Sequence, residues 1–295
     1  MSSHTEVFSM EINWKIGIEI EMLAPKGASR LDLAQAIAQQ YQGSVIPYFH
    51  SQVEPSKLTG QPLFKNLTPA FEVRDQHGKR IAQCVDDLTL QADFDKSTPP
   101  LSGWYRIVSD ESRLLQLVMQ QADPKASLSE VLKPIAQLFG TDLLHGQGGM
   151  VRVTDQTGES IAIAAPLPGE RERPCELITA PISSQHLNKL ESLLSIARKL
   201  GFTTPIEGAV HIHFDATSLM SAPILAKLMW VLWIFGDSLK QLLESNPHCT
   251  RLGQWPQKLY DHIQRPEWAE LNWEEARQSL AEFTLNKYCA IPSPK

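Results

Sequence analysis

The segment 14–22 alternates between apolar and polar residues, which is the pattern of a β-strand with one buried face. It reads WKIGIEIEM, so Ile18 and Ile20 point to one face and Glu19 and Glu21 point to the other. Carboxylates two residues apart on one strand face stand about 7 Å apart and repel each other unless water or cations neutralise them. The pair therefore indicates either a solvent-exposed sheet surface or a site for a cation.

A second alternating segment, 208–216, reads GAVHIHFDA. Val210, Ile212 and Phe214 share one face, and His211 and His213 share the opposite face. Two imidazoles on one side of a strand can hold a metal ion or contact a phosphate. Two ordinary surface histidines would give the same pattern.

The rest of the pattern predicts an α+β protein with a largely antiparallel sheet. Two hairpins are expected, at 70–85 and 150–165, because a DQxG turn separates the strands of each. Another short strand is expected at 175–182, and the stretch 45–70, rich in Pro, Ser and Thr, reads as a loop. Helices are expected from a Ser29 cap to Gly43, at 111–122 and 127–139, from Ser183 or Ser184 to Gly201, at 223–243, and through most of the tail to about 288.

No linker along the chain requires separate domains. We expect a flexible leader over 1–12 and a single domain over 13–295, with insertions at about 66–100 and 123–170. A chain of 295 residues can bury a large core, and a content of 42% hydrophobic and 20% charged residues is that of an ordinary soluble protein.

The net charge and the cysteine content limit which binding partners and which cellular compartment are expected for this protein. A net charge of −6 argues against a nucleic-acid partner, which usually selects a basic face. The four cysteines form no CxxC pair and the N-terminus has no signal-peptide run, so a cytoplasmic protein with reduced thiols is expected. The most apolar stretch, 224–235, contains Lys227 and falls short of the roughly twenty residues of a membrane span. It predicts a buried helix and no membrane partner.

Two further acids extend the candidate chemistry. Glu176 lies early in the strand at 175–182, and Asp110 lies at a strand-to-helix junction, where Ser109 or Asp110 would also serve as a helix N-cap. Carboxylates with imidazoles on strand faces suit a divalent cation such as Mg²⁺, which takes part of its coordination from substrate phosphates. The set therefore favours phosphoryl transfer. Because neither GxxxxGK[ST] nor GxGxxG is present, a nucleotide would be held by the sheet itself.

The ordered set GIEIE, VSDES, CELITAP and GAVHIHFD, followed by an Arg and a late Asn, resembles the amidoligase family over about 15–290. That family belongs with glutamine synthetase and the glutamate–cysteine ligases. The resemblance implies their catalytic fold, a curved, mainly antiparallel sheet with helices packed on one face. It also implies ATP and Mg²⁺ as cofactors, with Mn²⁺ as an alternative ion.

The resemblance assigns metal ligands by position. Glu21, Asp110 and Glu176 resemble the ligands of a metal on the acyl-substrate side, with Glu176 also expected to take part in catalysis. Glu19 and His211 resemble the ligands of a metal that aligns the ATP phosphates. Five residues from four segments would therefore meet around bound cations.

Other residues are expected to contact the nucleotide or the transferred group. His213 and Asn286 are placed like family residues near the nucleotide, and Arg251 resembles the arginine that stabilises the transferring phosphoryl group. Arg171 and Arg173, in the loop before the strand at 175–182, would help to neutralise the developing charge. A solvated charged turn is the alternative for these two arginines.

The implied activity is the ATP- and Mg²⁺-dependent joining of a carboxylate to an amine through an acyl-phosphate, on amino acids, peptides or related molecules. Family members continue past the late Asn to a strand with an E-x-R pattern, whereas this chain reads NKYCAIPSPK. Either another residue then completes the second metal site, or a partner chain supplies the missing group, or the second metal is held more weakly. Two alternatives are a degenerate ligase fold used for binding or scaffolding, and a metal-dependent hydrolase. Since relatives often form rings or dimers, a homo-oligomer is also open.

Overall fold

The computed structural model describes residues 14–58, 61–99, 101–109, 111–249, 253–283 and 289–290. It is an α+β protein with a mostly antiparallel sheet, as the sequence predicts, and its described part contains seven α-helices. The chain divides into two compact units, Met1–His213 and Phe214–Lys295. The described residues form two buried clusters in the first unit and one in the second. The single-domain organisation predicted above, with its leader and insertions, stays a prediction.

The first unit holds the large sheet and four helices. In chain order its elements are β1 (Ile16–Leu23), α1 (Arg30–Gln40), β2 (Ser44–Leu58), β3 (Gln61–Arg74), β4 (Arg80–Val85), β5 (Tyr105–Ser109), α2 (Ser112–Gln121), α3 (Lys133–Phe139), β6 (Leu144–His145), β7 (Val151–Thr154), β8 (Ser160–Pro166), β9 (Pro174–Thr179), α4 (His186–Lys199) and β10 (Val210–Phe214), which ends at the boundary. The strand order is β10-β1-β9-β4-β3-β5-β8-β7-β6, with β2 paired to β3. Both predicted hairpins are present, as β3–β4 and β7–β8.

The helices of this unit cover one face of the sheet. Leu67, Phe71 and Val73 of β3 are buried and, since strand side chains alternate, lie on the same face. Leu67 packs in a cluster with α2 and α3, whereas Phe71 and Val73 pack in a cluster with α1 and α4. The opposite face carries the intervening polar residues, such as Asn66 and Thr68, and we call it the polar face.

Helix α1 begins where the sequence predicts. The Ser29 hydroxyl accepts a hydrogen bond from the backbone N–H of Leu31 (3.2 Å), and the Asp32 carboxylate accepts one from the N–H of Ser29 (2.7 Å). This reciprocal arrangement is a capping box. Leu33 and Ile37, one turn apart, are fully buried against the sheet.

The prediction of a loop over 45–70 is wrong, because β2 and β3 form a long antiparallel pair there. Proline suits an edge strand, since it cannot donate to a ladder. Pro47 lies in β2, which pairs only with β3 in the described residues. On its other side, β3 pairs with β5 through 65–67 and with β4 through 71–74, so Pro69 lies in the gap between these ladders.

The N-caps of two helices and the start of a third also differ from the prediction. The N-cap of α2 is Glu111 rather than Ser109 or Asp110, and that of α4 is Gln185 rather than Ser183 or Ser184. Neither cap residue makes a side-chain capping bond. The helix expected at 127–139 begins only at Lys133. Pro134 explains this, because proline has no N–H to continue a helix from residue 130 and is tolerated only in a first turn.

The second unit contains α5 (Ala222–Leu242), β11 (Gly253–Gln254), α6 (Gln257–Ile263), α7 (Trp273–Leu280) and β12 (Cys289–Ala290), with β11 and β12 forming a short parallel pair. Its core cluster includes Met229, Leu259, Ile263 and Trp268. The Trp268 indole N–H donates a hydrogen bond to the carbonyl of Ala222 (2.8 Å). Packing of α5 against the following segment therefore organises this unit.

The prediction of a buried helix at 224–235 is wrong. Trp230, Val231 and Phe235 of α5 are exposed. The apolar composition of a helix does not by itself determine whether another element covers that helix. By length and composition α5 could cross a membrane, but one such helix is weak support, since core helices of soluble proteins share these properties. No membrane protein is indicated.

The capping box of α1 predicts a local stability effect. Ser29→Ala should lower the free energy of unfolding by about 1 kcal/mol, because the N–H groups of the first turn lose their acceptor. Ser112→Ala is the matched control, since Ser112 is exposed at the first position of α2 and should change stability by less than about 0.5 kcal/mol. Urea unfolding measures both. Equal stability of Ser29→Ala and the wild type would contradict the assignment.

Candidate metal centre

The acids of β1 and β9 lie on the polar face because of the register between these strands. Glu21 is directly opposite Glu176, and Glu19 is opposite Ile178, two residues further along β9. Residues opposite each other in an antiparallel pair project from the same face. On the other side of β9, Val85 at the end of β4 is also opposite Glu176. The sheet therefore places three carboxylates on two adjacent strands.

Strand β10 brings the two histidines to the same place. It lies beside β1 at the end of the sheet. The backbone N–H of Glu21 donates to the carbonyl of Ala209 (3.1 Å), and a Cβ added to Gly17 would lie 3.8 Å from the Cβ of His213. These two contacts show that β1 and β10 are antiparallel, and this register places Glu19 beside His211.

Glu19 lies between the two imidazoles. One of its carboxylate oxygens is 3.1 Å from His211 Nδ1, and the other is 3.1 Å from His213 Nε2. The three donor atoms lie within 4.8 Å of one another, close enough for one cation to bind all three. A carboxylate with two imidazoles suits Mn²⁺ or Zn²⁺ at least as well as Mg²⁺, which prefers oxygen ligands. The residues therefore fit a divalent metal ion.

Glu21 is anchored more deeply than Glu19. Its side chain is 4% exposed, and its carboxylate accepts a hydrogen bond from the N–H of Ala209 (2.9 Å). The orientation of the Glu21 carboxylate is therefore set by a backbone N–H immediately before β10, the strand that carries the histidines. Its position allows it to contribute an oxygen ligand next to the Glu19, His211 and His213 group.

The pKa values of Glu19 and Glu176 move in opposite directions. Hydrogen bonding from His211, assisted by His213, lowers the pKa of Glu19 to about 2. Burial, followed by repulsion from Glu19 and Asp87, raises the pKa of Glu176 to about 8. At neutral pH the Glu176 carboxyl therefore keeps its proton and hydrogen-bonds to ionised Glu19. One proton removes part of the repulsion within the cluster.

Asp87 is a member of the cluster that the sequence patterns did not reveal. It is buried beyond the end of β4 and its charge acts on Glu176. One carboxylate oxygen accepts a hydrogen bond from the N–H of Thr89 (2.9 Å), and the other has no hydrogen-bond partner among the described residues. The only signal was an acidic pair, Asp86 and Asp87, directly after an alternating strand.

Arg171 is buried near this cluster, so the alternative of a solvated turn is wrong for it. Its Nη2 lies 2.7 Å from the Asp86 carboxylate and donates to the carbonyl of Asp87 (2.9 Å), while its Nη1 donates to the carbonyl of Leu90 (2.8 Å). Arg171 therefore ties the segment after β4 to the segment before β9.

Arg173 is also buried rather than solvated. It forms an ion pair with Glu170, and its Nε donates to the carbonyl of Ala24 (2.7 Å). These contacts hold the chain around the start of β9. Three further candidate residues, Asp110, Arg251 and Asn286, lie outside the described residues, and their roles stay predictions.

The fold and the cluster define a class of protein: an α+β chain whose mostly antiparallel sheet carries a group of carboxylates and imidazoles that could hold a divalent cation. The family model described as "Putative amidoligase enzyme" matches residues 12–284, and the chain belongs to this family. Comparison with curated proteins and with solved structures gave no match. The family membership predicted from the sequence motifs is thus confirmed, and it supports a ligase.

The raised pKa of Glu176 predicts pH-dependent metal binding. A carboxyl group must lose its proton to bind a metal, so Mn²⁺ should bind more tightly as pH rises towards about 8, by at most about tenfold from pH 7 to pH 8. Calorimetry in two buffers of different ionisation enthalpy would measure the affinity and the released proton.

Glu176→Gln is the control for this titration. The variant has no carboxyl proton to release, so its Mn²⁺ affinity should vary less between pH 7 and pH 8. Wild-type affinity that stays constant over this interval, with no proton released, would contradict the protonation state assigned to Glu176.

Proposed function

We propose that this protein is an ATP- and Mg²⁺-dependent carboxylate–amine ligase, with Mn²⁺ as an alternative ion. The observation that carries the proposal is the grouping of Glu19, His211 and His213 within 4.8 Å on the face that also bears Glu21 and Glu176. Membership of the amidoligase family supports the reaction class. We propose further that the fold is of the glutamine synthetase type and that the protein is cytoplasmic.

The charge of the cluster supports a requirement for cations. Glu19, Glu21, Glu176 and Asp87 are carboxyl groups on or next to adjacent strands. A triphosphate could not approach them without severe repulsion unless divalent ions lay between. Glu19, His211 and His213 would hold one such ion, and Glu21 with Glu176 would contribute to a second. The ions would neutralise the phosphates and the developing charge.

The reaction has two balanced steps. First, an oxygen of the substrate carboxylate attacks the γ-phosphorus of ATP, which forms an acyl-phosphate and releases ADP. Then an amine attacks the acyl carbon, which forms the amide and releases phosphate. A carboxylate alone resists amines because its leaving group would be oxide, whereas phosphorylation supplies a stable leaving group. The proton lost by the amine needs an acceptor.

Glu176 is the residue we propose as that acceptor. A general base must be ionised in the reacting complex, and the pKa of about 8 belongs to the cluster without cations. Once cations offset the charges of Glu19 and Asp87, Glu176 would ionise and could take the proton. Its partly buried position within the acid group supports this role.

The remaining assignments rest on the family resemblance. Arg251 would stabilise the transferring phosphoryl group, and Asn286 would contact the nucleotide. For His213, the 3.1 Å between its Nε2 and the Glu19 carboxylate favours the metal over the nucleotide. The contacts of Arg171 and Arg173 favour holding the segments around Glu176 over direct contact with ATP. The substrates would be small-molecule or peptide acids and amines, without a nucleic acid or a membrane, and the protein could act as a homo-oligomer.

One observation favours a second candidate function, that of a metal-dependent hydrolase. Two histidines and one glutamate form the protein ligand set of several catalytic zinc sites. A hydrolase would cleave an amide or phosphoester with Zn²⁺ or Mn²⁺ and no nucleotide. Omission of ATP distinguishes the two functions, because only the ligase loses its activity.

The ligase proposal predicts a large effect of one neutral substitution. Glu19→Gln preserves the shape of the side chain and removes its charge, so ATP-dependent ADP release with mixed acids and amines should fall by about 100-fold or more. A coupled ADP assay with Mg²⁺ and with Mn²⁺ measures it.

The matched control is Glu159→Gln, which neutralises an exposed acid in the turn between β7 and β8 and should leave the rate unchanged. If Glu19→Gln released ADP as fast as the wild type, the proposal would fail. A wild-type protein with no ADP release for any acid and amine, but with ATP-independent cleavage, would establish the second candidate.

A further inference from the structure

Strand β10 has little apolar burial to hold it in place, although it carries two of the three residues grouped for a cation. It lies at the end of the sheet, and within the described part of the chain its neighbour is β1. Val210 and Ile212, on the face opposite the histidines, are 59% and 54% exposed. Since burial of apolar side chains is the main force that fixes a strand against a core, the positions of His211 and His213 depend on polar contacts.

Two acids, one in each of two loops, form such contacts just before β10. Glu207 Oε1 accepts hydrogen bonds from the backbone N–H groups of Gln91 (2.5 Å) and Ala92 (3.2 Å). In the other direction, Asp93 Oδ2 accepts a hydrogen bond from the N–H of Ile206 (2.6 Å). Hydrogen bonds to a charged carboxylate are among the stronger ones in proteins. We call this reciprocal pairing of the two loops the loop clasp.

The loop clasp lies next to the contacts that join β10 to β1. The N–H of Ala209 donates to the Glu21 carboxylate (2.9 Å), and the carbonyl of Ala209 accepts a hydrogen bond from the N–H of Glu21 (3.1 Å). Between the clasp and these contacts, the N–H of Gly208 donates to the carbonyl of Pro205 (3.0 Å), which closes a tight turn. A displacement of Glu207 would therefore be transmitted to Ala209, and from there to both histidines.

The other half of the loop clasp belongs to the segment after β4. Arg171 donates to the carbonyls of Asp87 (2.9 Å) and Leu90 (2.8 Å), so this segment is fixed as far as Leu90, which is buried. The strand order β10-β1-β9-β4 places two strands between the two halves of the clasp. Because neighbouring strands lie about 4.8 Å apart, the segment 86–93 spans roughly 14 Å past the ends of β9 and β1. The clasp therefore fastens the strand with the histidines to the segment with Asp87, across the acid group.

We propose that Glu207 and Asp93 are positioning residues, whose loop clasp keeps His211 and His213 at binding distance from Glu19. The inference rests on the metal centre of the proposed function. Neither acid belongs to the group of donor atoms that lie within 4.8 Å of one another, so neither is proposed as a metal ligand. The clasp restricts the motion of an end strand, and ligands that are ordered in advance lose less conformational entropy when a cation binds.

The first test follows β10 without metal or nucleotide. Glu207→Ala removes the acceptor of two N–H groups, so the backbone amides of 209–213 should exchange with deuterium at least about tenfold faster than in the wild type. Glu207→Gln keeps a carbonyl oxygen at the same place and should restore most of the protection. Hydrogen exchange followed by mass spectrometry measures both variants. Unchanged exchange of 209–213 in Glu207→Ala would overturn the proposal.

Metal affinity, measured by calorimetry, is the second readout. Loss of a residue that supports metal ligands typically weakens metal binding by about 10–100-fold, so Glu207→Ala should weaken Mn²⁺ binding by about tenfold. Asp93→Ala should act in the same direction, because it removes the other half of the loop clasp. Glu207→Gln should stay within about threefold of the wild type, since it keeps an acceptor. Unchanged affinity in both alanine variants would overturn the proposal, as would equal weakening by Glu207→Gln, which would assign the effect to charge.

Asp155→Ala is the matched control for a loss of carboxylate–backbone contacts. Asp155, in the turn between β7 and β8, accepts hydrogen bonds through one oxygen from the N–H groups of Thr157 (2.8 Å) and Glu159 (2.9 Å). Its replacement should lower stability without changing Mn²⁺ affinity or the exchange of 209–213. If Asp155→Ala weakened Mn²⁺ binding as much as Glu207→Ala, the effect would come from a general loss of stability, and the proposal would be overturned.

A kinetic measurement separates this inference from the proposed function. If the ligase is active, Glu207→Ala should raise the Mn²⁺ concentration for half-maximal ADP release by about tenfold, more than it lowers the rate at saturating Mn²⁺. Binding of Mn²⁺ without any ADP release would contradict only the ligase. Turnover with an unchanged Mn²⁺ requirement in Glu207→Ala would contradict only the positioning role, and a wild-type protein that binds no Mn²⁺ would contradict both.

Discussion

Repulsion among carboxyl groups on one face of the sheet is the constraint on which the candidate site depends. The pairing of β1 with β9 brings Glu19, Glu21 and Glu176 together, because the antiparallel register makes all three side chains project from the same face of the sheet. Two imidazoles hydrogen-bond to Glu19, and a retained proton neutralises Glu176. A divalent cation would replace both of these compensations with stronger ones. The arrangement therefore supports the proposed binding of a cation.

The position of β9 explains how further groups reach this cluster. β9 lies between β1 and β4, so the chain that leaves β4 passes beside Glu176. This path places Asp87 close enough for its charge to act on Glu176. Arg171, three residues before β9, holds this segment by donating hydrogen bonds to the Asp86 carboxylate and to the Asp87 carbonyl. The acids of β1 and β9 and the buried carboxylate of Asp87 thus depend on one set of strand pairings. A change in the register of β4 or β9 would disturb all of them together.

The sequence predicted the parts of the site that lie on strands. Alternation in β1 and β10 placed Glu19, Glu21 and both histidines correctly, because side-chain period determines which residues share a face. The sequence did not identify Asp87 as a member of the cluster, because Asp87 follows a strand and its burial depends on tertiary contacts. The loop predicted over 45–70 is wrong because an edge strand tolerates proline such as Pro47. The buried state of Arg171 could not be read from a charged segment, since its partner Asp86 is distant in sequence.

The most direct test of the account is where a cation binds. Crystals soaked with MnCl₂ and a non-hydrolysable ATP analogue can be measured by anomalous diffraction, which identifies manganese independently of any assumed site. The account predicts a peak at bonding distance from the Glu19 carboxylate and from at least one imidazole of His211 and His213. A peak elsewhere on the molecule, or none beside Glu19 at saturating manganese, would contradict it.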